Sequence, residues 1–223
     1  MAGGKGKRLD PFTRILPKPL IPLNKEPIII KIINQFVDYG LTDYYITLND
    51  KAKMIKAYFS DFDLPYNINF IDEKEPLGTA GSLKELEEKF DMPLFVSNCD
   101  IIINTDYKEI MDFHKDRGYA LTIIGSMKHH IVPYGVCQIN NGGDLIKLSE
   151  KPEYDFLINT GFYIIEPKLL SLIPQNKYFD MTDLISCAKG SGFKVGVFPI
   201  SEKSWIDIGQ WSEYKKQINN PKW

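Results

Sequence analysis

Cysteine, histidine and tryptophan each occur only three times in 223 residues. Cys99, Cys137 and Cys187 are odd in number and far apart, which fits neither a disulfide framework nor a CxxC metal knuckle and points to a reducing compartment. His114, His129 and His130 have no HExxH spacing and no neighbouring cysteine, so core or surface roles are expected for them rather than zinc. No GxSxG elbow offers a serine nucleophile. Charge of one sign is also missing. Lys and Arg number 27 against 29 Asp and Glu, a formal charge of -2, so there is no broad field for nucleic acid and any anion site must be local. No apolar run approaches the roughly 20 residues that span a bilayer, and no signal-peptide pattern opens the chain. The sequence reads as that of a soluble, cytoplasmic protein with neither nucleic-acid nor membrane partners. It has no internal repeat, low-complexity tract or linker, and one domain over residues 1–223 is the simplest organisation.

What is there is ordinary in bulk and organised along the chain. Hydrophobic residues make up 43% and charged residues 25%, a globular balance. Helical and strand-like segments alternate through the first half. PIIIKIINQFVDYG (27–40) has helical apolar spacing, a leading Pro and a closing Gly. YYITL (44–48), INFID (68–72), PLFVSNCD (93–100) and ALTIIGSM (120–127) are strand-like; 52–59, 78–90 and 105–118 are expected helices. The second half offers a hairpin through 134–139 and 145–150, strands at 159–165 and 194–200, and helices at 169–173, 181–190 and 210–218. This rhythm predicts an α/β fold, a Rossmann-like three-layer α/β/α sandwich around a mixed, mainly parallel sheet. Ligands of such sheets bind beyond the carboxyl ends of the strands.

The stretch MAGGKGKRLDPFTRILPKPL puts Gly3, Gly4 and Gly6 among Lys5, Lys7 and Arg8. Glycines let backbone N–H groups approach phosphates that a Cβ would obstruct, and an arginine can fork onto two phosphate oxygens. The P-loop pattern GxxxxGK[ST] is absent. The dinucleotide fingerprint fails as well, because Leu9 stands where its last glycine or alanine belongs and Glu26 is a poor match for its acidic residue, which argues against a nicotinamide oxidoreductase. Taken alone, the segment also has the composition of a solvated terminus.

The whole stretch resembles the opening signature of the sugar nucleotidyltransferases, GGxGxRLxPxTxxxPKPLxP, matched from Gly3 through Thr13 and again from Pro17 through Pro22. The resemblance extends to about residue 212. It implies that the glycine loop (Ala2, Gly3, Gly4, Gly6) wraps a nucleoside triphosphate, that Arg8 braces the departing pyrophosphate, and that Lys18 approaches the α-phosphate. Relatives carry a short central strand just ahead of the loop, of which only Met1 and Ala2 stand here. The chain is therefore expected to be numbered from within a longer protein or cut just before that strand, and one branch of the family carries paired CBS domains upstream.

Three further constellations gain meaning from the resemblance. EPLGTAG (75–81) looks like the nucleotide-side motif of the GDP-mannose pyrophosphorylase branch, implicating Glu75, Gly78 and Thr79; read by chemistry alone it is equally a turn before a capped helix. Asp100, ending a strand, and Asp207, in WIDIG, match the pair of family aspartates that hold Mg²⁺, although single aspartates are commonly turn or cap residues. Tyr134 and Gly135, Glu150 and Lys151, and Asn159 and Thr160 match sugar-side positions: the glutamate serves hydroxyls, the lysine the sugar phosphate. Thr160 replaces the commoner alanine. Without the resemblance, Glu150 and Lys151 would be a rim pair worth about 0–1 kcal/mol.

The implied reaction is attack by a sugar 1-phosphate oxygen on the nucleotide α-phosphorus, expelling pyrophosphate, with GTP and mannose 1-phosphate or a related hexose 1-phosphate as the expected substrates and Mg²⁺ as cofactor. Thymidylyl, uridylyl or cytidylyl transfer, or a catalytically silent nucleotide-sugar sensor, are the alternatives. A homo-oligomer is expected.

Overall fold

The structure is a computed structural model that describes residues 1–4 and 6–219. Lys5 lies outside the described residues.

A 3-10 turn at Lys7–Leu9 leads into the short helix α1 (Phe12–Ile15), a second 3-10 turn at Lys18–Leu20, and a two-residue-per-strand hairpin of β1 (Pro22–Leu23) and β2 (Glu26–Pro27). Helix α2 (Ile28–Val37) follows where the sequence predicts it. Its isoleucines serve two neighbours. Ile28, Ile32 and Phe36 enter one hydrophobic cluster, while Ile29 and Ile33 enter another, because i, i+4 and i+8 share one helix stripe and the adjacent stripe faces the other way.

Strand β3 (Asp43–Leu48), helix α3 (Ala52–Ser60) and strand β4 (Asn67–Asp72) form a parallel βαβ unit, with Ile55 and Phe59 of α3 buried one turn apart. Then come β5 (Leu94–Ser97), β6 (Ile101–Ile103) and α4 (Tyr107–Asp116), whose N-cap Asp106 accepts hydrogen bonds from the Lys108 and Glu109 amides. The remaining elements are β7 (Leu121–Ile131), β8 (Val136–Ile139), β9 (Leu145–Ser149), β10 (Glu153–Ile165), α5 (Met181–Gly190), β11 (Val195–Ile200), β12 (Trp205–Asp207) and α6 (Trp211–Asn219).

The largest sheet has the order β11-β7-β10-β5 and is mixed: β11 runs parallel to β7, while β7 and β5 are antiparallel to β10. Alternate residues of β10 explain the layers. Phe162 and Ile164 point into the cluster with α2, α4 and α6, whereas Tyr163 and Ile165 point into the cluster with α5. Both faces are thus covered, as a three-layer sandwich requires. Residues 1 and 2 connect this sheet to the β3–β4 pair. The Met1 nitrogen donates to the Ser97 carbonyl at 2.7 Å, Cys99 N donates to the Met1 carbonyl at 3.1 Å, and Ala2 N donates to the Thr47 carbonyl at 3.0 Å.

Four features differ from the sequence expectation, the smallest at 169–173, expected to be a helix, where the structure holds a 3-10 turn at Pro167–Leu172. Residues 78–90 were expected to be a helix; the structure holds only a 3-10 turn at Gly81–Leu86. Glu87 turns extended (ψ 137°) and Glu88 left-handed (φ +64°), which ends the turn before 90, while Gly78 (φ +79°) is left-handed at its start; the Ala80 and Gly81 amides donate to the Phe179 carbonyl. Strand β10 begins at Glu153, six residues ahead of the expected start at 159, because 153–158 pairs with the extension of β7 from Ser126 to Ile131. The ladder then continues through Val132 N to the Pro152 carbonyl (3.1 Å) and Lys151 N to the Tyr134 carbonyl (3.2 Å) into β8 and β9. The expected hairpin is therefore the far end of one long two-stranded ribbon.

Candidate active site

The glycine loop sits where an open sheet would place a ligand. Gly3 lies against Asn49 and Glu73, the residues just past the carboxyl ends of the parallel strands β3 and β4. Gly6 has φ +63°, and a Cβ there would meet Thr13 Cγ2 at 2.8 Å and Lys18 Cβ at 3.0 Å. No other residue fits that turn without moving Lys18. Leu9 N closes the loop onto the Gly6 carbonyl at 2.9 Å, and the Leu9 side chain is wholly buried, so the residue that breaks the dinucleotide pattern is a core anchor.

Two three-residue strands make the electrostatic centre. The antiparallel β12–β6 ladder sets Asp207 across from Ile101, the neighbour of Asp100, and Ile208 N donates to the Asp100 carbonyl at 2.9 Å. That register brings two distant aspartates to one point. The Arg8 guanidinium bridges them, with Nη2 at 3.9 Å from Asp100 Oδ2 and Nη1 at 3.9 Å from Asp207 Oδ2. Lys18 Nζ donates to Asp100 Oδ2. Asp207 is steadied by Gly209 N (2.9 Å) and Gln210 Nε2 (3.3 Å), both donating to its carboxylate. Burial differs sharply across the group: the Lys18 and Asp100 side chains are 11% and 7% exposed, while Arg8 is 62% exposed. The arginine is thus free to leave for an anion; the lysine is enclosed.

These residues open onto a cleft of about 300 Å³ lined by Arg8, Asp100 and Asp207 together with Asn98, Asn159, Gly161 and Trp205. Asn159 uses both ends of its amide: Nδ2 donates to the Tyr163 hydroxyl at 2.9 Å, and Oδ1 accepts from Gly161 N at 3.0 Å. Thr160 also lines the cleft, but its hydroxyl is buried and donates to the Ile124 carbonyl at 2.7 Å. Beside Asp100, burial pushes the Cys99 thiol up to about 11, so it stays protonated and unreactive.

The other sequence candidates lie in two places outside the lining of this cleft. Gly78 and Thr79 are bound to the start of α5: the Thr79 amide and hydroxyl both donate to Asp180 Oδ1, and Met181 N donates to the Thr79 hydroxyl at 2.8 Å. A Cβ on Gly78 would meet the Phe179 carbonyl at 2.6 Å. Glu75 is exposed on the same loop. Tyr134, Gly135, Glu150 and Lys151 sit together at the waist of the β7–β10 ribbon, all exposed, with a Gly135 Cβ position 3.0 Å from Glu150 Oε2. None of these four lines the cleft.

Sequence reasoning did not single out Asn98, Tyr163, Trp205 or the packing role of two glycines. Gly161 (φ +86°) leaves room for the Asn98 amide, and a Cβ on Gly209 would fall on the Asp100 carboxylate and 2.8 Å from Lys18 Nζ. A glycine inside an otherwise apolar strand, and another two residues past an aspartate, were the available signals.

The donor set suits a hard divalent cation. Two carboxylates flank one point, and among the described residues no cluster of three or more His, Cys, Asp or Glu forms a closed cage. Mg²⁺ is held in this manner, by one or two carboxylates with substrate phosphates completing the shell.

Comparison with known proteins follows the same line. The nucleotidyl transferase family matches residues 1–221. The mannose-1-phosphate guanyltransferase of Candida albicans is 38% identical over 94% of this chain and 60% of its own length. That of Hypocrea jecorina is 37% identical over 78% of this chain and 50% of its own. The chain therefore spans between half and three-fifths of these curated relatives. Among solved structures, HddC from Yersinia pseudotuberculosis complexed with GMP-PN superposes with a TM-score of 0.72 at 26% identity, covering 98% of this chain and 96% of that one.

Proposed function

The chain belongs to the nucleotidyl transferase family, and on that premise we propose that it forms GDP-hexose and pyrophosphate from GTP and mannose 1-phosphate or a related hexose 1-phosphate. The observation that carries the reading is the convergence of Arg8, Lys18, Asp100 and Asp207, with Arg8 and both aspartates lining one cleft. The guanine and mannose preferences rest on the relatives, which are named mannose-1-phosphate guanyltransferases, and on a similar structure complexed with GMP-PN.

The work of the site is alignment and charge neutralisation, since phosphoryl chemistry of this kind needs no covalent nucleophile. Glycines 3, 4 and 6 let backbone amides lie along the triphosphate. Arg8, exposed and bonded only loosely to the two aspartates, turns its fork onto the departing pyrophosphate. Lys18 neutralises the α-phosphate during attack. Asn98 and Asn159 line the cleft in which the hexose would lie. The ribbon group, Glu150 and Lys151 with Tyr134 and Gly135, meets the sugar and its phosphate from outside the cleft. Asp100 and Asp207 would hold Mg²⁺, which would supply positive charge to the phosphates. The cytoplasm, where nucleoside triphosphates and free cysteines both persist, is the compartment that suits this reaction.

The test is a matrix of nucleoside triphosphates against hexose 1-phosphates, scored by pyrophosphate release. GTP with mannose 1-phosphate is expected to give the highest kcat/KM. Absence of pyrophosphate with every pair would remove catalysis from the account.

A further inference from the structure

We infer that Lys18 is a built-in counter-cation of Asp100 that a divalent metal must displace, so that metal entry and release of Lys18 toward the nucleotide are a single exchange. The inference rests on the reading above, in which Asp100 and Asp207 hold the metal and Lys18 reaches the α-phosphate.

Three observations carry it. First, the Lys18 ammonium occupies Asp100 Oδ2, the carboxylate atom on the side of Arg8 and Asp207, so a metal seated between the two aspartates would meet the ammonium there. Second, the pair is enclosed: the Lys18 side chain is 11% exposed and that of Asp100 7%, so water cannot take the lysine's place cheaply. Third, the backbone is shaped around the pair. At Gly209 a side chain would fall on the Asp100 carboxylate and crowd Lys18 Nζ, and at Gly6 a Cβ would press on Lys18 Cβ. Two glycines thus make room for the lysine to lie down on the aspartate.

The charge arithmetic gives the consequence. Arg8 and Lys18 balance Asp100 and Asp207, so the centre is neutral without ligands. A divalent cation arriving there displaces a cation that is already satisfied, which weakens metal binding. In return the freed ammonium adds its charge to that of the metal, and the centre becomes a seat for a triphosphate. Metal and nucleotide binding are then coupled through one side chain. Arg8 does not serve this purpose, being 62% exposed and 3.9 Å from both carboxylates.

Mn²⁺ binding to the whole chain, read by the electron paramagnetic resonance of the free ion, tests the exchange. Four proteins are compared: the unaltered chain, Lys18→Met, Asp100→Asn, and Lys56→Met as a control that removes a lysine paired elsewhere with Asp72. The expected result is at least tenfold tighter Mn²⁺ binding by Lys18→Met, weaker binding by Asp100→Asn and no change in Lys56→Met. Unchanged or weaker binding by Lys18→Met, with Asp100→Asn still weakened, overturns the exchange while leaving the metal seat intact. Equal Mn²⁺ binding by Asp100→Asn and the unaltered chain overturns the seat itself, and the exchange with it. Lysine acylation of the unaltered chain, mapped by mass spectrometry, gives a second measurement that needs no variant. Lys18 is expected to be protected without metal and to gain reactivity when Mn²⁺ is added; the same protection in both states overturns the inference.

Discussion

Asp100 and Asp207, far apart in the chain, flank a single guanidinium, each with one carboxylate oxygen 3.9 Å from a terminal nitrogen of Arg8. The β12–β6 ladder creates that relationship, since its register leaves Asp207 beside the residue that follows Asp100. Removing one carboxylate should therefore be felt by the whole centre. Asp100→Asn is expected to lower kcat of pyrophosphate release by at least about a hundredfold, the scale of losing one electrostatic partner of a transition state. Activity within threefold of the unaltered protein would exclude Asp100 from the reaction.

Gly209→Ala tests the packing of the same centre without touching a charge. The new methyl falls on the Asp100 carboxylate and lies 2.8 Å from both Asp207 Oδ1 and Lys18 Nζ. Thermal unfolding should report a loss of about 1–3 kcal/mol, as overpacking does. If the proposed function holds, pyrophosphate release should fall more steeply than that stability change explains, because the displaced groups are those assigned to the metal and the α-phosphate.

Buried His114 sets a pH dependence of stability. Its ring is fully enclosed, with Nδ1 2.8 Å from the Thr122 hydroxyl and Nε2 3.3 Å from Glu166 Oε1. Burial holds its pKa below the ordinary 6.5, outweighing the opposing pull of Glu166. Below 6.5 the unfolded chain therefore binds a proton that the folded chain resists, and stability falls as pH drops through that value. Denaturant titrations at pH 7.5 and 5.5 should show this loss. In His114→Gln the part of the difference due to this group should vanish, even though the variant is less stable at pH 7.5; an unchanged difference would exclude His114 as its source.

Thiol chemistry separates the three cysteines. Burial raises the Cys99 thiol to about 11, whereas Cys137 and Cys187 are exposed. Iodoacetamide at pH 8 is expected to label Cys137 and Cys187 in the folded protein and to reach Cys99 only after denaturation, as peptide mapping would show. Rapid labelling of Cys99 in the native state would mean that the strand end carrying Asp100 opens readily.

How much of this was legible beforehand depended on how local each signal is. Helix α5 lies at 181–190 as read, because its capping residues Asp180 and Asp183 and its apolar spacing are contained in the segment. Strands β3 and β4 were likewise visible in short apolar runs. The helix expected over 78–90 is cut short where Glu87 turns extended and Glu88 left-handed, a break that no glycine or proline announces in the sequence. β6 and β12 are three residues each and exist only as partners of one another, so neither has a pattern of its own. The functional residues divide similarly. Arg8, Lys18, Asp100 and Asp207 were named through a long motif match, and the structure gathers them at one point. Asn98, Tyr163 and Trp205 belong to no spacing rule; they reach the cleft only because β10, β5 and β12 converge there. Thr79 reads as a nucleotide contact by motif, while in the structure its hydroxyl is engaged by Asp180 and Met181.

The β7–β10 ladder loses its regular register between Asn159 and Tyr163, within the cleft, and the ribbon beyond carries Lys151 eight residues past that irregularity. Eight extended residues measure roughly 26 Å. Turning such a beam by about ten degrees at its root sweeps the tip through roughly 4–5 Å, more than the length of a hydrogen bond. A small change at the irregularity beside Asn159 is in this way geared up at Glu150 and Lys151.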